Sequence, residues 1–126
     1  MELGAAHIIR REQGVEHKQA IIAELRKTET TCERMKGLLG SDALRIGEGM
    51  WITPCNSIHT LFMKYDLDII YLDRHDNICG LINRVKPWRG NFCLRAASVI
   101  ELAAGQIDEL GLLVSDEIRW EVKVCD

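Results

Sequence analysis

The sequence predicts a mostly β protein, a compact antiparallel β-barrel or jelly-roll-like sandwich with two short helices. Three observations carry that expectation. After Ser41 the chain breaks into short apolar pieces separated by turn residues, several of them rich in β-branched and aromatic types. No long helical pattern intervenes between them, as a parallel α/β fold would require. At 126 residues, with 47% hydrophobic and 28% charged side chains and 2 prolines, the chain has the size and composition of a globular domain built on one core.

Taken in order, residues 1–18 carry both charge signs, glycines at 4 and 14, and no sustained period, which predicts a mobile N-terminal arm. Residues 19–126 are expected to form a single β-rich domain. Ala20 to Arg26 fits either a strand or part of a helix, because its period is undecided over so few residues. Thr30 and Glu33 make a capping-box pattern, Cys32, Met35 and Leu39 recur at helical spacing, and Gly40 suits a left-handed stop, so a helix is expected over 31–39. Met50 to Thr53, His59 to Tyr65 and Leu67 to Leu72 read as strands. The polar run Asp73 to Asn77 then turns the chain into a return strand over Ile78 to Val85. A further strand is expected across Ala96 to Leu102, one or two helical turns over Ala103 to Leu110 before Gly111, and a half-exposed strand over Ile118 to Val124, which alternates with period two.

The charge sum, 16 − 19 = −3, removes any whole-chain argument for a nucleic-acid or membrane-surface binder. No apolar run reaches the ~20 residues of a spanning helix, and the first residues lack the basic start and apolar stretch of a signal peptide. Five cysteines, odd in number and widely spaced, point to reduced thiols and a cytoplasmic protein that folds without disulfides. A zinc site drawn from Cys55, His59, His75, Cys79 and Cys93 is the less favoured alternative, because structural zinc sites use closely paired ligands; no metal and no cofactor are expected.

Five blocks now stand out: Glu33-Arg34-x-x-Gly37-Leu38-Leu39-Gly40, Glu48 to Met63, Leu67 to Asp73, Pro87-Trp88-Arg89, and Ala97-Ser98-Val99-Ile100-Glu101-Leu102-x-x-Gly105. In this order and spacing, over about residues 19 to 120, the chain resembles the domain of unknown function 192 family of bacterial and archaeal proteins. The resemblance implies a compact β-rich fold and turns Ala20 to Arg26 into a strand. It implies no activity. Many relatives look exported behind a signal peptide, whereas this chain starts without one, and Ala103 stands where relatives often carry proline.

Several residues qualify as chemistry. In an extended His59 to Met63, the histidine shares a face with Leu61 and Met63, where it serves as a general base, an anion donor or, more readily, a structural hydrogen-bonding group. Asp68 and Glu101 interrupt apolar strands, and each needs a partner if buried; His59, Arg34 and Arg89 are the candidates. The favoured pairing is His59 with Asp68, while Arg34 and Glu101 belong to a structural charge network. Between Asn83 and Arg95 lie Arg84, Lys86, Arg89 and Arg95 with no acid, interleaved with Trp88 and Phe92. Trp88 is expected in the core, and Arg89 at the rim beside a carboxylate.

No phosphate-loop, Gly-x-Ser-x-Gly or His-Glu-x-x-His motif is present. The first reading is therefore a non-catalytic binding or accessory domain, whose rim of Cys55, His59, Asp68, Trp88 and Arg89 takes a small anionic ligand or a protein partner. The second is a small hydrolase or metal-assisted enzyme using His59 with Asp68 or Glu101. A single-stranded nucleic-acid role ranks third, since four cations make a weak electrostatic footprint. Oligomeric state is not legible.

Overall fold

Every residue of Leu67–Leu72 is buried, a pattern that only a strand covered on both faces produces. This strand, β5, lies between β6 (Ile78–Val85) and β8 (Ser98–Ala103). The computed structural model describes residues 2–28, 44–60 and 64–123. Within it β1 (Glu2–Glu12), β2 (Val15–Thr28), β3 (Glu48–Ile52) and β9 (Glu117–Val122) complete a seven-stranded sheet of order β6-β5-β8-β3-β2-β1-β9. β4 (Ser57–His59) and β7 (Gly90–Phe92) form a separate two-stranded sheet.

Period-two alternation divides the core into two layers. On one face Trp51, Ile70, Leu72, Ile100 and Leu102 meet Ala6, Ile8, Ile22, Leu25 and Ile118 from the β2-β1-β9 end of the sheet, together with Ile107 from helix α1 (Gln106–Leu110). On the other, Met50, Ile52, Leu67, Ile69, Tyr71 and Val99 pack against Ile58 of β4. The result is mostly β and sandwich-like. It is not a closed barrel: the terminal strands β6 and β9 meet near their starts, at the Asn77–Glu117 bridge, rather than along their length. The sheet is also mixed, since β2 and β3 run parallel where an antiparallel arrangement is expected. The Thr28-to-Glu48 connection is long enough for the crossover that a parallel pair needs.

The largest departure is at the N-terminus. Residues 2–12 are not an arm outside the fold but strand β1, hydrogen-bonded to β2 on one side and β9 on the other. Gln13 (φ 50°) and Gly14 (φ 78°) form the tight turn between β1 and β2, both in the left-handed region that a type I′ hairpin demands. Gly4 is a close approach: a Cβ there would sit 2.5 Å from the Glu121 carbonyl oxygen and 2.7 Å from the Trp120 ring. Register shifts between Gly4 and Ala6 and between Ile8 and Ile9 bury Ala5 with Ala6 and Ile8 with Ile9, which erases a simple alternation.

Of the two expected helices, that over 31–39 lies outside the described residues. The other is α1, which stops at Gly111 (φ 65°) in the left-handed cap position. Ala20 to Arg26 lies within β2, as the family resemblance implies.

Candidate functional site

Asp68 and Glu101 sit on opposite faces of the sheet. Asp68 pairs in register with Leu102, whose side chain belongs to the first layer, whereas Glu101 pairs with Ile69 and Met50 of the second. Both carboxylates are buried. Asp68 is fully engaged by backbone: Oδ1 accepts the Arg84 amide and Oδ2 the Ile107 amide, each at 2.8 Å. The second bond satisfies an amide in the first turn of α1, which has no partner within its own helix. His59 belongs to β4, which covers the second face, so the expected His59–Asp68 pair does not form and Asp68 is a strut rather than a rim residue. Arg34 lies outside the described residues.

The second layer contains a polar pocket of its own. Tyr71 donates its hydroxyl to Asn91 Oδ1 at 2.8 Å. Burial, then the neighbouring Cys93 and Glu101, push that phenol up to about 12. Cys55 is buried and disulfide-bonded, with Sγ 3.0 Å from the Ser57 carbonyl oxygen, which corrects the expectation of five reduced thiols. Cys79 and Cys93 are free thiols. A cleft of about 330 Å³ beside Cys55 is lined by Pro54, Asn56, Ala96 and Ala97.

Trp88 and Arg89 occupy a tip held by one side chain. Thr60, buried, donates its hydroxyl to the Lys86 carbonyl at 2.6 Å and accepts the Arg89 amide at 2.8 Å. Its own amide donates to the Arg89 carbonyl at 2.7 Å, and its carbonyl accepts the Trp88 amide at 2.9 Å. Four bonds thus fix the Lys86-to-Arg89 turn from within. Trp88 adopts φ 64°, a left-handed conformation that costs a non-glycine residue on the order of 1–3 kcal/mol, and the residue is 58% exposed rather than in the core.

Arg89 is exposed. Its guanidinium donates to the Trp88 carbonyl at 3.3 Å and, contrary to expectation, pairs with no carboxylate among the described residues. Phe92 and Leu94, 67% and 82% exposed, continue the surface, with the exposed cations of Lys86 and Arg95 nearby in the chain. Sequence reasoning marked the cations and aromatics of this stretch. It missed Thr60, for which no pattern in the sequence signals a clamp.

A larger cavity, about 580 Å³, opens where β1, β6 and the start of β9 meet, lined by Arg10, Arg11, Asp73, Cys79, Arg95 and Asp116 among others. Its charges largely satisfy one another. Arg10 makes a two-pronged bond to Asp116 (2.8 Å each) and also reaches the Gly111 carbonyl. Arg11 bonds Glu117, which joins Arg119 and Glu16 in a surface network. Arg119 holds the carboxyls of Glu16 and Glu117 below their ordinary range, with help from Arg11. Partners about a hundred positions apart in the chain cannot be matched by spacing.

Among the described residues no group of three His, Cys, Asp or Glu side chains is arranged to hold a metal ion, and no helix is long and apolar enough to cross a membrane.

Comparison with known proteins places this architecture. A solved structure from Novosphingobium aromaticivorans, of unknown function, matches with a TM-score of 0.70 at 20% identity, covering 94% of this chain and 85% of that one. A Sinorhizobium meliloti structure, named as a candidate transcription regulator, matches with a TM-score of 0.74 at 17% identity, covering 94% and 93%. At these identities the likeness is one of fold. In sequence, the chain is similar to the UPF0127 protein of Thermococcus sibiricus, 40% identical over 68 residues, which is 53% of this chain and 44% of that protein. It is also similar to a UPF0127 protein of Pyrococcus furiosus, 34% identical over 65 residues, 51% of this chain and 55% of that one. The match thus spans about half the length of these curated relatives. The family model for Uncharacterized ACR, DUF192, matches residues 11–120, and the chain accordingly belongs to the DUF192 family.

Proposed function

We propose that this protein is a non-catalytic binding domain whose Trp88–Arg89 tip takes an anionic ligand or an acidic segment of a protein partner. One observation carries the reading: an exposed tryptophan and a guanidinium that pairs with no carboxylate among the described residues are held on a strained turn by the buried Thr60. Strain of this kind persists only where surrounding bonds impose it, and it concentrates at binding positions. An aromatic surface fixed before binding loses little entropy on contact, and an exposed guanidinium offers a planar fork to carboxylate or phosphate. The absence of acidic residues from Asn83 to Arg95 gives the tip a local positive field on a chain that is negative overall.

The alternative of a hydrolase built on His59 with Asp68 has less support, because the Asp68 carboxylate is occupied by two amides on the far side of the sheet. The binding reading is tested by titrating the protein with inorganic phosphate, citrate and a poly-glutamate peptide while following tryptophan emission. Saturable binding that weakens in Arg89→Lys, with thermal stability unchanged, supports it. Absence of binding to all three probes, or binding that Arg89→Ala leaves intact, overturns it.

A further inference from the structure

Cys79 is the extra residue of a bulge in β6: Tyr71 faces Gly80 and Leu72 faces Ile78, leaving Cys79 unmatched. The bulge turns its side chain onto the second layer, against which Cys93 also packs. Cys93 is held in place from the other side, its amide donating to the Asn56 carbonyl at 2.9 Å and its carbonyl accepting the Ala96 amide at 3.0 Å. The two free thiols pack on the same layer, near enough for the Cys93 sulfur to act electrostatically on Cys79. Both are partly accessible, and Cys79 lines the large cavity, so small reagents reach the pair. The segment between them contains the whole tip, Lys86 to Arg89 included.

We propose that Cys79 and Cys93 form a reversible dithiol–disulfide site, acted on by a low-molecular-weight disulfide such as oxidised glutathione, and that the oxidised form clamps the base of the Trp88–Arg89 tip. Burial and the Cys93 sulfur push the Cys79 thiol up to about 11, which keeps Cys79 protonated and makes it a poor first nucleophile. Cys93 is then the sulfur that attacks. Its thiolate opens the glutathione disulfide, forming a mixed disulfide and releasing one glutathione thiolate. The Cys79 sulfur next attacks the Cys93 sulfur, releasing the second glutathione. One S–S bond forms in the protein, one breaks in the oxidant, and the two thiol protons pass to the two glutathiones. The covalent step stands independently of any anion binding, whereas its effect on ligand capture rests on the reading above.

The test equilibrates the full chain in glutathione buffers of increasing oxidation, alkylates the remaining thiols, and maps the peptides by mass spectrometry without reduction. The expected result is a Cys79–Cys93 linked peptide, loss of both alkylatable thiols together, and full recovery with dithiothreitol. In Cys93→Ser the linkage disappears and Cys79 carries a single glutathione at most. Trypsin cleavage after Arg89 in the native protein reads the clamp and slows in the oxidised chain. Two separate glutathione adducts, two thiols that stay alkylatable throughout, or linkage of either to another cysteine overturns the site. Equal cleavage rates with the linkage formed overturn the clamp. Since the mapping uses wild-type protein, it holds even if Cys93→Ser fails to fold, and failure of anion binding leaves its outcome unaffected.

Discussion

Asp68 illustrates how a buried carboxylate in a strand is resolved by structure rather than chemistry. With no exposure and two amide partners, it joins β5 to the end of β6 and to the start of α1. Asp68→Ala leaves two donors without an acceptor and is expected to cost about 3 kcal/mol in chemical unfolding. Trp88 gives the opposite outcome. Because the residue is more than half exposed, Trp88→Ala should change stability by no more than about 1 kcal/mol, while Thr60→Val, which removes the clamp's hydroxyl, should cost about 1–3 kcal/mol. A calorimetric comparison of the two variants checks the order. The sequence made both Asp68 and Trp88 conspicuous but left their orientation open. Strand parity alone separates Asp68 from Glu101, and it becomes readable only when the register between β5 and β8 is known. For Trp88, the preceding proline and the gain from burying an indole argue for the core, yet a positive φ turns the ring outward.

At the level of elements, β5 and β8 are readable as strands because short, nearly continuous apolar runs suit strands covered on both faces. β1 was hidden for identifiable reasons. Its two register shifts break the period, and its charged residues Arg10 and Arg11 resemble a solvated tail until Asp116 and Glu117 are brought beside them. Gly4→Ala tests the placement of β1: the added methyl meets backbone of β9 and should destabilise by about 1–3 kcal/mol, whereas an arm outside the fold would be indifferent.

The surface network joining β1, β2 and β9 adds a pH signature. Glu16 and Glu117 have lowered pKa values in the folded chain, so their contribution is present above their unfolded range near 4.5 and is lost as pH falls through the folded values. The advantage of wild type over Arg119→Met should therefore shrink on acidification below about pH 4.5, as read by thermal unfolding at a series of pH values. Asp76, raised by burial, contributes with the opposite sign in both proteins and cancels in the comparison.

As a whole, the molecule is a sheet that curls around one core layer and carries a small second sheet over the other. The large sheet supplies rigidity. The small sheet and the turn beside it present the aromatic and cationic residues at the surface. The fold class was legible in the strand-rich pattern after Ser41. Barrel closure was not, because it depends on whether β6 and β9 meet along their edges, and strands so distant in sequence leave no mark of that contact. The tip was legible as composition, and its presentation to solvent was not.

The proposed capture of an anion by the Trp88–Arg89 tip, on a turn fixed in advance, is decided by calorimetric titration of wild type, Trp88→Ala and Arg89→Lys with the poly-glutamate peptide at low and high salt. Saturable wild-type binding that both substitutions weaken and salt suppresses is the predicted result, with all three proteins unfolding at nearly the same temperature. Equal affinity of the three proteins for the peptide would contradict it.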